Sequence, residues 1–477
     1  MTHGRAWPTG SPPPGDDALD DEVLPGLRPY QRAGVLWMAR SAAQGLGGCL
    51  ADDMGLGKTR QALALLAHRA GRGPALVVAP TSVLHQWMEE AARHAPELRV
   101  RLHHGGARSP LADALAGADV LLTSYGVVVQ DRDSLSQVRF ATLVLDEAQS
   151  IKNPRSRRAG AVRALDAEVA FALTGTPIEN HLGELWSLFS VIEPTLFGSW
   201  TQFRRRFATP IERGGDEAAR ALLGRVIAPF VLRRTKSDVL PDLPPRTTKT
   251  VWVERSAEER AVYEAARSAA IDAVSDAADQ LEILAALTRL RQLACDVRLV
   301  DPTAMVASSK LRTLVALVSE LRDAGHRVLI FSQFVRLLEL AERALEDASV
   351  RCTMLTGATA ASERSEMGAQ LAAGAADALL ISLKAGGVGL NLTAASYVIH
   401  LDPWWNPAVE DQASDRAHRI GQTQPVTVVR LVSRGTIEEA VLALHDGKRA
   451  LYEAVLTGMD AASRLSAEEL ASLLRHR

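Results

Sequence analysis

The stretch Ala51-Asp52-Asp53-Met54-Gly55-Leu56-Gly57-Lys58-Thr59 decides how this chain is read. It follows a small apolar run, Gly48-Cys49-Leu50, and opens a helical pattern from Arg60 to Leu66. A Gly-rich turn ending in Gly-Lys-Thr at a helix start is a phosphate cradle, because its backbone N–H groups and the helix dipole point at anionic oxygens. Asp53, Met54, Gly55, Leu56 and Gly57 would wrap a nucleotide, with Lys58 reaching the outer phosphates and the Thr59 hydroxyl on a magnesium ion. Asp52 stands where the full pattern has Gly. Taken alone, the stretch also reads as an ordinary turn before a buried helix.

Working outward, short apolar runs separated by helical patterns follow, as expected for buried parallel strands. They are Ala75–Pro80, Val120–Ser124, Thr142–Leu145 and Ala170–Thr174, with a helix over Ser82–Ala95. Strand alternating with helix predicts a doubly wound α/β layer, whose ligand sites gather at strand ends. The run at Leu145 leads directly into Asp146-Glu147-Ala148-Gln149. One carboxylate there suits a magnesium ion and the second a water-activating base, against the alternative of an acidic helix cap. Upstream, Leu27-Arg28-Pro29-Tyr30-Gln31 starts a helix, and the Gln31 amide, with one donor and one acceptor, suits an adenine edge.

From Gly183 to Arg234 the pattern is helical, with aromatics at Trp186, Phe189, Trp200, Phe203 and Phe207. Its basic groups, Arg204-Arg205-Arg206 and Arg233-Arg234 with Lys236, read either as solvated faces or as working charge. Pro241-Asp242-Leu243-Pro244-Pro245-Arg246 reads as a stiff linker and a domain boundary. Helices over Ser256–Arg291 and Lys310–Asp323 precede a second α/β pattern. Its strands are Val328–Ser332, Cys352–Leu355, Ala378–Ser382, Tyr397–Leu401 and Val426–Val429. This half has no Gly-Lys-Thr; Gly386-Gly387-Val388-Gly389-Leu390 is glycine-rich without the lysine, and Gly387 is its nucleotide-site candidate. A helix over Asp411–Gln422 would align Gln412, Arg416 and Arg419 on one face. Two arginines presented together stabilise phosphate charge; the competing reading is a surface ion-pair helix with Asp411 and Asp415. Arginines in one half and the phosphate loop in the other suggest two lobes closing on one nucleotide.

Composition sets bounds. The 477 residues are too many for one ordinary core, and 47% apolar with 23% charged residues describes a globular protein. No apolar run is long enough to span a bilayer, and Met1–Asp21 has no secretory pattern, so no membrane partner is expected. Cys49, Cys295 and Cys352 are far apart, which argues for a reducing compartment, the cytoplasm by default, and against zinc. A formal net charge of −2 announces no nucleic-acid binder in bulk, but a groove needs positive charge only where phosphates lie.

Together these motifs resemble the Swi/Snf-type DNA translocases of helicase superfamily two, from Leu27 to about Ala440. The resemblance rests on LRPYQ (Leu27–Gln31), DDMGLGKT (Asp52–Thr59), APTSVLHQW (Ala79–Trp87), LDEAQSIKNP (Leu145–Pro154) and LTGTPIEN (Leu173–Asn180). It continues through VLIFSQF (Val328–Phe334), SLKAGGVGLNLTAA (Ser382–Ala395) and DPWWNPAVEDQASDRAHRIGQ (Asp402–Gln422). It implies two RecA-like doubly wound parallel-sheet lobes with helical insertions. The expected order is a disordered tail (1–22), lobe one (23–245) with a protrusion at about 183–234, lobe two (246–435) with a protrusion at about 258–300, and C-terminal helices (436–477). It implies ATP and Mg2+ between the lobes, on Lys58, Thr59 and Asp146, with Glu147 activating water, Arg416 and Arg419 completing the site, and Gln31 on adenine. Pro80, Thr81, Thr174, Gly175, Thr176, Ser332 and Gln333 would track one strand of double-stranded DNA. Such phosphate contacts give weak sequence preference and strong salt dependence.

The expected function is therefore a DNA-stimulated ATPase moving along duplex DNA and remodelling bound proteins, as a nucleoid-associated, monomeric motor. Alternatives are a strand-separating helicase, a nucleic-acid scaffold with a dead motor, or a motor acting on RNA polymerase. Gln149 stands where many relatives carry His, and no targeting module is visible, so the chain is expected to be a minimal motor or the motor part of something larger. Trp404 and Trp405 are expected to pack rather than touch DNA.

Overall fold

The computed structural model describes residues 26–175, 181–274, 280–383 and 392–443. The phosphate-loop half is built on a seven-stranded sheet in which every pairing is parallel. Its spatial order is Val100–His103, Val120–Ser124, Ala75–Ala79, Thr142–Asp146, Ala170–Leu173, Gly48–Leu50, Val231–Leu232. Alternate residues along each strand face opposite sides, so one apolar run feeds two cores. Leu76, Val78, Leu143 and Leu145 pack with helices Tyr125–Gln130, Arg157–Val162 and Leu182–Ile192. Val77, Val144, Phe171 and Leu173 pack against helices Pro29–Ala43, Lys58–His68 and Leu84–His94. The helices between residues 182 and 227 seat Phe189, Phe203, Phe207 and Ile211 in the first of these cores.

The second half repeats the plan with six parallel strands, ordered Arg246–Val253, Val426–Ser433, Tyr397–His400, Val328–Ser332, Ala378–Ser382, Cys352–Leu355. Ile330 and Leu380 enter one core, Leu329 and Leu379 the other. Two doubly wound parallel sheets are thus present, as the alternation of patterns required. Helices Ala257–Val274 and Gln280–Cys295 form a satellite core with Ile437, Ala440 and Val441, from the helical turns that follow Thr436. No described helix is long and apolar enough to cross a membrane.

Several elements differ from the sequence reading. Gly48–Leu50 and Val231–Leu232, only three and two residues long, are strands that complete the first sheet, and Val100–His103 forms its far edge. Arg246–Val253 is an edge strand of the second sheet, largely polar because it is open to water on one side. The helix expected over Asp411–Gln422 ends at Ser414. Beyond it the backbone tightens into a turn: the Arg416 and Ala417 amides reach three residues back, to the Ala413 and Ser414 carbonyls. The carbonyls of Arg416, Ala417 and His418 accept from Leu392 N, Gln422 Nε2 and Lys236 Nζ. The two arginines therefore sit on a turn beyond the helix.

Candidate active site

The phosphate loop lies between Gly48–Leu50 and the helix starting at Lys58. Gly55 and Gly57 have φ of 86° and 76°, in the left-handed region that other residues avoid. Space demands glycine as well: a Cβ on Gly57 would lie 2.5 Å from Gln31 Nε2, and one on Gly55 2.8 Å from Cβ of Arg419. The Leu56 carbonyl accepts from Tyr30 Oη (3.0 Å) and Gln31 Nε2 (3.1 Å), which ties the first helix to the loop. Lys58 Nζ donates to the carbonyls of Asp52 (2.6 Å) and Asp53 (3.3 Å). Thr59 is half-buried on the first helical turn.

Asp52, the departure from the glycine pattern, is fully buried beneath the loop. Its carboxylate accepts from Arg234 Nε (2.9 Å) and Nη2 (2.5 Å) and from Gln61 Nε2 (3.1 Å). Arg234 also donates to Gln61 Oε1 and to the Tyr30 carbonyl, and its guanidinium lies over the Tyr30 ring. The basic run Arg233-Arg234-Thr235-Lys236 is therefore partly an internal anchor, whereas Arg204, Arg205 and Arg206 are exposed.

Asp146 ends its strand and Glu147 follows with φ of 46°, one of two non-glycine residues with positive φ among those described. Such a conformation in a non-glycine residue costs on the order of 1–3 kcal/mol and turns the side chain away from the strand direction. Asp146 Oδ2 accepts from Trp87 Nε1 (2.7 Å) and Oδ1 from the Glu147 amide (2.9 Å). Burial, with Glu147 beside it, pushes Asp146 up to about 6. Glu147 Oε2 accepts from Gln149 Nε2 (2.6 Å), and Gln149 Oε1 accepts from Thr174 Oγ1 (3.0 Å). Gln149 thus joins the carboxylate to the next strand end.

The second lobe closes this cleft. Gln412 Nε2 approaches Glu147 Oε1 at 3.4 Å, and Arg419 packs on Gly55. Arg416 is buried; burial pulls its pKa down to about 10, with Glu147 acting in the opposite sense. Burial also lowers that of Arg419, countered by Glu90 and Asp415. Asp411 and Asp415 pair with Arg246, and Asp415 with Lys236 at 2.7 Å, so they form partly buried braces to other segments rather than a surface ion-pair helix.

The residues singled out from sequence thus fall into groups. Asp53 to Thr59, Asp146, Glu147, Arg416 and Arg419 gather where the two lobes meet. Gln31, by contrast, is buried behind the loop, its Oε1 accepting from the Arg28 N–H and its Nε2 donating to the Leu56 carbonyl, so the amide expected on an adenine edge is engaged within the protein. Pro80, Thr81, Thr174, Gly175, Ser332 and Gln333 all sit at or just beyond the C-terminal ends of strands. Pro80, Thr81, Gly175 and Gln333 are accessible, but Thr174 and Ser332 are buried. Ser332 Oγ donates to Asp402 Oδ1 at 2.6 Å, and Gln333 bonds the same carboxylate. Arg291 completes that cluster 3.7 Å from Asp402, its guanidinium against the rings of the half-buried Trp404 and Trp405. Gly387 and Thr176 lie outside the described residues. Sequence reading gave no role to Trp87 or Asp402, and it named Arg233-Arg234 with Lys236 only as a basic group, either a solvated face or working charge.

A phosphate loop and an acidic strand end in one parallel-sheet lobe, faced by arginines from a second, are the architecture of a helicase-type ATPase core. The SNF2-related domain model matches residues 30–299, more than half of the chain, and the helicase conserved C-terminal domain model matches residues 309–421. The chain belongs to the SNF2-related family. It is 40% identical over 467 residues to the putative ATP-dependent helicase/translocase YwqA of Bacillus subtilis, covering 94% of this chain and 50% of that protein. It is 35% identical over 478 residues to the human SWI/SNF-related matrix-associated actin-dependent regulator of chromatin subfamily A member 1, covering 94% and 46%. The chain thus spans about half the length of these relatives. The Sulfolobus solfataricus SWI2/SNF2 ATPase core in complex with dsDNA is 35% identical, with 92% of this chain and 98% of that one covered and a TM-score of 0.48.

Proposed function

We propose that this chain is an ATP-driven motor that moves along double-stranded DNA and remodels the proteins bound to it. The observation that carries this reading is the composite cleft, in which Gln412 reaches Glu147 and Arg419 packs on Gly55 across the two lobes. A site assembled from two lobes couples the nucleotide to their relative motion, because ATP and its products favour different degrees of closure.

In this reading the loop amides and Lys58 hold the phosphates of ATP, and Lys58 exchanges its present carbonyl partners for them. Thr59 and Asp146 would hold magnesium; a buried carboxylate whose burial and acidic neighbour disfavour its charge is a site that a divalent cation relieves. When bound, the ion neutralises phosphate charge. Glu147 is turned into the cleft by its left-handed backbone and takes a proton from the attacking water, oriented by Gln149. Arg416 and Arg419 remain cationic at neutral pH and stabilise the charge that develops on the transferred phosphoryl group. The Thr174–Gln149–Glu147 chain carries the state of that carboxylate towards the strand ends, where Pro80, Thr81, Gly175 and Gln333 would meet a DNA backbone. Thr174 and Ser332, with their hydroxyls engaged, hold those contacts in shape.

The test is ATP turnover with no nucleic acid, single-stranded DNA, duplex DNA and duplex RNA, each at two salt concentrations. Stimulation by duplex DNA that fades at high salt is expected. Stimulation mainly by single strands would replace this reading with a strand-separating helicase, and no turnover would replace it with a scaffold.

A further inference from the structure

Lys236 is the last cation of the basic run Arg233 to Lys236, and three elements meet at it. It opens the four-residue helix Lys236–Val239, which Thr235 and Asp238 cap reciprocally just after the last strand of the first sheet. Its backbone N–H donates to Asp53 Oδ2 at 3.0 Å, and a Cβ on Gly55 would lie 3.8 Å from its Cε. It is thus built into the phosphate loop of lobe one. Its side chain, by contrast, is committed to lobe two: Nζ lies 2.7 Å from Asp415 Oδ1 and donates to the His418 carbonyl. Only 7% of the residue is exposed.

The turn it grips is the one that carries both arginines, since Arg416 lies between Asp415 and His418 and Arg419 follows immediately. The same turn is held from the other side by Arg246, which pairs with Asp411 and Asp415, and by the Pro244 carbonyl, 2.8 Å from His418 Nε2. Those contacts come from the connecting segment and the second sheet, and can travel with lobe two. The Lys236 contacts cannot, because they run from the phosphate loop's own support. Opening the cleft must break a buried ion pair and a hydrogen bond, leaving both charges to find water.

We infer that Lys236 is an inter-lobe positioning residue, whose ammonium seats the Asp415–His418 turn over the phosphate loop so that Arg416 and Arg419 face the nucleotide only in the closed state. This rests on the catalytic reading above, and it adds a contact that regulates how often the arginines are in place. A displacement of about 1 Å at reacting groups is enough to cost on the order of a hundredfold in rate, so a brace one residue from Arg416 has leverage.

The experiment uses the full chain carrying Lys236→Met, Lys236→Arg or Asp415→Asn, with a donor and an acceptor dye on the two lobes. Lys236→Met is expected to lengthen the inter-lobe distance in nucleotide-free protein, and to lower DNA-stimulated kcat by roughly tenfold with KM for ATP changed by less than about threefold. Lys236→Arg, which keeps the cation, should recover most of the loss. Asp415→Asn, which approaches the same bond from lobe two, should reproduce it and serves if Lys236→Met fails to fold. A residue that merely supports the fold would lower Tm while leaving the kcat of the folded fraction intact. Unchanged distance with kcat within about twofold in the folded variants would overturn the inference. The distance does not depend on hydrolysis. If Glu147→Gln still turned over ATP while Lys236→Met opened the cleft, the catalytic assignment would fall and the brace would stand.

Discussion

Arg234→Met is the substitution whose cost can be worked most directly from the structure. Asp52 has no exposed surface, and its carboxylate accepts three side-chain hydrogen bonds, two of them from Arg234. Replacing the guanidinium by an apolar chain of similar length leaves the buried charge with one neutral donor, Gln61 Nε2, and strips partners from Gln61 Oε1 and the Tyr30 carbonyl. Breaking a buried ion pair from one side costs about 3–5 kcal/mol, and the lower end applies because the Arg234 side chain is 13% exposed. At about 2–4 °C per kcal/mol for a unit of this size, the unfolding transition of lobe one should fall by roughly 6–12 °C in differential scanning calorimetry. The decisive comparison is Arg234→Met/Asp52→Asn, which leaves no unpaired charge and should recover at least about 2 kcal/mol relative to Arg234→Met alone. A loss under about 1 kcal/mol in the single variant, or a double variant worse by the sum of the singles, would refute the account of Asp52 as a buried anchor.

Glu147→Gln should retain nucleotide binding, measured with a fluorescent ATP analogue, while turnover falls by about 10²–10⁴, the range for losing a general base. Arg419→Ala should cut DNA-stimulated hydrolysis by about 10³ or more with lobe one still folded by circular dichroism; surviving hydrolysis would remove Arg419 from the site. Gly55→Ala places a methyl group 2.8 Å from Cβ of Arg419 on a backbone with φ of 86°, so turnover should fall while lobe two unfolds at its usual temperature. Chelating magnesium should abolish turnover reversibly, and restoring the ion should return it; turnover in excess chelator would exclude the role given to Thr59 and Asp146.

Most of the architecture was legible because parallel strands buried on both faces have to be apolar throughout. Val328–Ser332, Cys352–Leu355 and Ala378–Ser382 match the expected bounds. What escaped were elements whose identity is set from a distance. Val231–Leu232 is too short to show a period and exists because Gly48–Leu50 offers it a partner. Arg246–Val253 hides because its first five residues, Arg246 to Thr250, are all polar, which the edge of a sheet permits. The turn carrying Arg416 and Arg419 has the composition of a helix, yet the helix ends at Ser414 and the turn's carbonyls bond to Leu392, Gln422 and Lys236 instead. The site divides in the same way. The loop, the two acids and the arginines are local patterns; the anchors at Arg234 and Lys236 connect residues 182 and 179 positions apart, and no local pattern encodes such a pairing.

The pairing of the phosphate loop with Val231–Arg234 also bears on how the protein is made. The amides of Ala51 and Asp53 donate to the carbonyls of Leu232 and Arg234, and Asp52 waits for the Arg234 side chain. At about 5–20 residues per second, the nascent loop spends on the order of 10–40 s outside the ribosome before those partners emerge. During that interval Gly48–Leu50, one strand in from the edge of the sheet, lacks its outer partner and Asp52 lacks its guanidinium, so the cradle for a nucleotide is unfinished. Lobe one is completed by its last-made residues, just as the linker to lobe two begins to appear.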